Sequence, residues 1–191
     1  MPLSKLLILI YALLITAGIG RRSLRNIGAG GMLPLYFLLC IFVTDRLSAS
    51  YADEVYLSPA CLLIPVWLYA AACFGAEKTA WLALPVSVLL GVILAPLVSR
   101  QTELAQAAVG AAAALTAFIL PLPTALSTAA LTPVAASVSA FVYAMITNGF
   151  AELDLSEGTL SAQLIGVGLA FVLSTSIQSQ KHKSILSSGA S

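Results

Sequence analysis

Long apolar runs broken by short polar ones set the rhythm of this chain. A helix rises about 1.5 Å per residue, so a bilayer core about 30 Å thick takes about 20 largely apolar residues per crossing. On that scale seven runs emerge, over roughly residues 3–20, 27–44, 60–74, 79–98, 104–120, 126–147 and 158–177. They predict an all-α fold: one polytopic transmembrane helical bundle over residues 1–180, most simply of seven helices, with a short polar tail over 181–191. Six helices plus a re-entrant segment, made from the third or fifth run, is the alternative.

The breaks between the runs shape the expectation further. Without its glycines the second run holds only about 13 residues, well under one crossing, so Gly28, Gly30 and Gly31 belong at or inside the membrane boundary, with Pro34 in the first turns of the helix. The third run contains Pro65 and is short unless residues back to Val55 extend it. Only Gly75 to Lys78 separate it from the fourth, so the two are predicted to pack as a hairpin. The fifth run is rich in alanine, which permits close backbone approach and places it towards the bundle centre. Pro121 and Pro123 end it. Asp154 and Glu157 have the spacing of a capping box that would open the seventh run. The tail from Gln178 onward is small, polar and basic, and is expected to be mobile.

Composition agrees with lipid as the main solvent. With 60% hydrophobic and 9% charged residues, and a mean hydropathy of +1.00, the soluble globular class is excluded. A formal net charge of +1 provides no field to attract nucleic acid. Charges therefore matter by position. Arg21, Arg22 and Arg25 follow the first run and mark the first connection as cytoplasmic; Lys181 and Lys183 put the tail on the same side if six crossings intervene. The N-terminus is then outside and the C-terminus cytoplasmic. The Glu77–Lys78 turn faces inward, and the loops with Asp53 and Glu54, and with Glu152, Asp154 and Glu157, face outward. Lys5 is the one dissenting charge, and the six-helix alternative breaks the agreement. Because the arginines follow the first run and no small-x-small site ends it, that run reads as a retained helix rather than a secretory signal. A multi-pass protein of the cell (inner or plasma) membrane is the expected setting.

Two groups of residues are candidates for chemistry. In RRSLRNIGAGGMLP, Arg21, Arg22 and Arg25 lie beside Gly28, Gly30 and Gly31, which lead into a helix N-terminus. Free backbone N–H groups, the helix dipole and arginine together suit an anion or lipid headgroup. The competing reading makes the arginines topology anchors and the glycines a tight turn. In the sixth run Thr128, Thr132, Ala136, Ser139, Tyr143 and Thr147 recur at three- and four-residue steps and share one helical face. With Gln163 of the seventh run they could line a polar pathway, predicting a polar cavity at Thr132, Ser139 or Tyr143. Otherwise they are helix-packing residues, and the fifth, sixth and seventh helices meet through their small faces.

Catalytic constellations are not legible. The only histidine, His182, is in the tail, every carboxylate is at a helix end or in a loop, and Cys40, Cys61 and Cys73 have no paired spacing. The reading leans away from an enzyme and expects no cofactor and no metal. A transporter-like or substrate-binding membrane component for a small solute or lipid headgroup is the first expectation, without an evident ion-coupling residue. A non-catalytic assembly or scaffold subunit, with a partner subunit or a second copy as its partner, is the second. A membrane enzyme acting on a lipid-linked phosphate is the third.

Overall fold

The computed structural model describes residues 3–20, 24–25, 32–44, 49–51, 55–75, 77–99 and 102–188. Seven α-helices account for most of them: α1 (Leu3–Thr16), α2 (Leu33–Thr44), α3 (Pro59–Phe74), α4 (Ala83–Val98), α5 (Glu103–Ala114), α6 (Leu122–Asn148) and α7 (Glu157–Ser188). A 3-10 turn, Ala80–Leu82, precedes α4, and another, Leu115–Phe118, prolongs α5. Three of the helical stretches, Ala80–Val98, Leu122–Asn148 and Glu157–Gln180, are long and apolar enough to cross a membrane. The others are shorter; α2 has 12 residues, or about 18 Å. The fold is all-α, and the glycines expected to lengthen α2 lie outside the described residues.

Contacts between helices fix their directions. Ser4 donates to Glu157 Oε1 (3.5 Å) and Gln163 of α7 donates to Cys61 O of α3, so α1 and α3 run parallel to α7. Gly110 of α5 lies against Ala162, and Gln106 against Gly158, giving α5 the same sense. Ser137 of α6 meets Thr159 at 3.2 Å, and Gln163 reaches Ala130, so α6 runs the other way. Ser87 donates to Thr128 O (3.4 Å) and Gly91 lies against Ala135, which sets α4 parallel to α6.

One end of the bundle carries a small sheet that the apolar pattern did not announce. Strands β1 (Ala49–Tyr51) and β2 (Val55–Leu57) pair antiparallel, and β3 (Leu153–Leu155) adds parallel to β2. The two acidic loops are thereby tied together. The turn with Glu77 lies at the opposite end, where Thr79 contacts both Glu77 Oε1 (3.1 Å) and Thr124 (3.0 Å). Val55 does not extend α3. Ser58 precedes Pro59 and is extended (φ −96°, ψ 121°), because the proline ring disfavours helical geometry one residue upstream.

Three further expectations are corrected. Helices α3 and α4 do not pack along one another, despite their short connection; each lies on α6. The buried stripe of α4, Ala83, Ser87, Gly91 and Ala95, is a small-residue face, and it packs mainly on α6 and secondarily on α5. The alanine-rich α5 is not central either. It buries Ala105, Val109, Gly110, Ala113 and Ala114 but leaves Leu104 and Leu115 exposed, whereas nearly every residue from Leu122 to Pro133 of α6 is buried. Asp154 stands in β3, so no Asp154–Glu157 box opens α7; the Ser156 carbonyl accepts the first helical bond, from Leu160 N–H (3.0 Å). The tail is helical to Ser188, because Gln, Lys, Ile and Leu sustain a helix and nothing breaks it before Gly189.

The sorting of residue sizes is inverted relative to a water-soluble bundle. Alanine, serine, threonine and glycine fill much of the α4–α7 interior, and bulky apolar side chains such as Phe74, Val92, Ile93 and Ile146 point outward. No Asp, Glu, Lys or Arg is among the buried residues described. An apolar exterior this extensive marks a membrane-embedded protein.

Candidate functional site: an apolar cavity beside Arg25

The tyrosine of α1 sits in the middle of an apolar run, where its hydroxyl needs a partner. It finds one across the bundle, donating to the Leu164 carbonyl of α7. Gly168, one turn further along α7, makes this reach possible, since a Cβ there would overlap the Tyr11 hydroxyl. On the far wall, Phe37 of α2 stacks on Trp67 of α3, with ring centroids 4.1 Å apart and planes 25° from parallel. Between these two anchors the helices stay apart.

The space left is a cavity of about 220 Å³, walled by α1, α2, α3, α6 and α7. Ile41, Ile64, Leu126 and Phe171 are typical of its lining, which is apolar throughout. Its one hydroxyl is already engaged at Leu164. The volume equals the share of about seven water molecules, yet the wall surface is apolar, so the cavity favours hydrocarbon. It opens where α1 ends, beside the exposed Leu14, Ile19 and Val172.

The chain after α1 is folded back over this opening. Gly18 (φ +81°) and Gly20 (φ +76°) both adopt the left-handed conformation, and Gly20 sits so close to Phe171 that a Cβ would come within 2.7 Å of its ring. The turn lets Leu24 N–H bond to Gly20 O (2.9 Å) and brings the Leu24 side chain into the cavity wall. Arg25, the next residue, is exposed. A cationic residue thus follows directly in the chain on Leu24 of the cavity wall.

Of the arginine–glycine candidates, only Arg25 is placed; Arg21, Arg22, Gly28, Gly30 and Gly31 lie outside the described residues. The sixth-helix stripe divides in two. Thr128 and Thr132 are buried and donate to carbonyls of their own helix, Thr124 O and Thr128 O, both at 2.8 Å. Ala136 is buried and Ser139 half-buried, while Tyr143 and Thr147 are exposed, with Thr147 bonded back to Tyr143 O (2.9 Å). None of them lines the apolar cavity or the cleft at the α5–α6 connection.

Gln163 has a different task. Its side-chain nitrogen donates to Cys61 O (2.8 Å) and Ala130 O (3.0 Å). Pro65 lacks the N–H that the Cys61 carbonyl would use within α3. One buried amide therefore replaces the bond that proline removes from α3 and adds a second contact on α6. Tyr11, Leu24, Phe37 and Trp67 were not among the sequence candidates, and Gly168 was expected only as part of the small packing face of the seventh run. The signal for Tyr11 was the one hydroxyl within the apolar stretch 6–15; Leu24, Phe37 and Trp67 carry no signature outside their three-dimensional setting.

Set against known proteins, the chain matches no protein-family model, no curated protein and no solved structure.

Proposed function

We propose that this chain is a multi-pass membrane component that binds an anionic lipid, holding one hydrocarbon chain in the cavity and its headgroup at Arg25. The observation that carries this reading is an apolar cavity whose lining residue Leu24 is followed in the chain by an exposed arginine. The volume suits part of a single chain and leaves no room for a second. Tyr11 and the Phe37–Trp67 stack fix the walls, and Arg25 supplies the charge that favours a phosphate or carboxylate head.

Helix lengths favour the same site. Three of the five helices that wall the cavity, α1, α2 and α3, have only 14, 12 and 16 residues. A short apolar helix draws the bilayer surface towards itself, which would bring headgroups down to the level of Arg25. In this arrangement all seven helices cross, the sheet end faces outward, and the arginine end faces the cytoplasm. Binding of this kind suits a carrier or a substrate-binding subunit of the cell membrane.

The test is lipid retention in native mass spectrometry after purification in mild detergent. The wild-type chain should keep an anionic lipid. Val167→Phe fills the cavity and should lose that lipid while raising stability by about 1 kcal/mol, as cavity filling often does. Arg25→Glu should keep the fold and lose the preference for anionic over neutral lipids. Retention unchanged in both variants would rule the reading out.

A further inference from the structure

The connection between α5 and α6 has more oxygen than it uses. Pro121 and Pro123 have no N–H, while Ile119 N–H and Leu120 N–H both return to Thr116 O, at 3.0 and 2.8 Å. The carbonyls of Ala117, Phe118, Ile119 and Leu120 are left without a hydrogen-bond partner among the described residues. These residues form one wall of a cleft of about 220 Å³, and Ser174, Ile177 and Gln178 of α7 form the other. Ser174 is only 4% exposed, yet its hydroxyl has no partner. A buried serine in a helix usually bonds to a carbonyl one turn back, and here it does not.

From this geometry we infer a binding site for a primary ammonium group. Backbone carbonyls accept and never donate, so the wall selects a ligand rich in N–H donors, and an –NH₃⁺ group has three. The C-terminal end of α5 adds the negative end of a helix dipole. Unwound backbone at helix breaks supplies cation ligands in other membrane folds. No carboxylate is among the lining residues, so a divalent metal has no counter-charge. A bare alkali ion would leave most of the volume empty. Phe118, Ile119 and Ile177 offer an apolar wall for the carbon skeleton behind the nitrogen. A small alkylammonium fits, whether free or as the ethanolamine head of a lipid.

This site is independent of the apolar cavity. Its discriminating probe is the contrast between a primary ammonium, which has N–H donors, and a quaternary one, which has none. Ethylammonium chloride should raise the Tm of the purified full chain in a saturable way, and tetramethylammonium chloride should not. Ser174→Ala should weaken the ethylammonium response about fivefold, the worth of one hydrogen bond, and Gln178→Leu should weaken it similarly. If the source is a lipid, native mass spectrometry will instead show phosphatidylethanolamine retained over phosphatidylcholine, with the preference lost in Ser174→Ala. Val167→Phe, which fills the other cavity, should leave these responses unaltered. Equal responses to both ammonium ions, no response in either arm, insensitivity to Ser174→Ala, or a loss caused by Val167→Phe would each overturn the site.

Discussion

The two halves of this bundle solve the same packing problem with opposite materials. Helices α4 to α7 bring their backbones together: Gly91 lies against Ala135, Gly110 against Ala162, and Gly166 within 3.0 Å, measured from a Cβ position, of the Gly110 carbonyl. Helices α1 to α3 approach through Tyr11, Phe37, Trp67 and isoleucines, and these bulky side chains leave a cavity between them. In lipid, apolar area alone gives helices no reason to prefer one another over acyl chains, so close packing and interhelical hydrogen bonds decide. The small-residue half is then the rigid frame, and the large-residue half is where hydrocarbon can replace a protein side chain.

Enlarging one residue in each half should break this contrast open most widely. A side chain at Gly110 would run into the Ala162 carbonyl and the Gly166 N–H, which are backbone atoms and cannot rotate away. Gly110→Leu is expected to cost about 3 kcal/mol, the upper part of the usual range for overpacking, read as a loss of folded fraction in detergent unfolding. Val167→Phe inserts comparable bulk beside the cavity and should have the opposite sign. Equal destabilisation by both would mean the two halves are packed alike.

The hydrogen bonds of Gln163 join the frame to α3, and they sharpen the comparison at a smaller scale. Gln163→Leu removes both side-chain bonds, to the Cys61 and Ala130 carbonyls, a loss of about 2 kcal/mol. Pro65→Ala in the same chain restores an N–H to the Cys61 carbonyl within its own helix. The double variant should therefore recover part of the loss, with a coupling of about 1 kcal/mol in a double-mutant cycle. Strict additivity would show that the proline-broken ladder is not what Gln163 serves.

Much of the frame was legible in the residue pattern, and little of the cavity was. Seven apolar runs gave seven helices, and the small faces of the fifth, sixth and seventh runs meet, because helix period and residue size are local properties. The polar stripe misled as to cavity position. Thr128 and Thr132 do share a face, but a hydroxyl can satisfy itself on its own helix, and both do. Chain proximity misled as well: the short link between α3 and α4 fixed where they start, while the fit of Gly91 against α6 fixed what they touch. The apolar cavity depends on five elements meeting, with Leu24 brought back by two glycine turns, and no single stretch encodes that.

Those two glycines carry the smallest of the expected effects and the most specific one. Gly18 and Gly20 both have left-handed backbones, so alanine at either position carries the conformational penalty of an L-residue there, about 1 kcal/mol or slightly more. Nothing lies within 4 Å of a Cβ at Gly18, whereas one at Gly20 meets Phe171 of the cavity wall at 2.7 Å. Gly18→Ala should lower stability by that penalty alone and leave lipid retention intact. Gly20→Ala should lower it further, by up to about 1 kcal/mol more if Phe171 is forced off its rotamer, and should also reduce retention, because the displaced ring moves into the space the hydrocarbon chain would fill. The two glycines would then separate the turn's own geometry from its hold on the cavity, and identical effects at both positions would detach the arginine segment from the site.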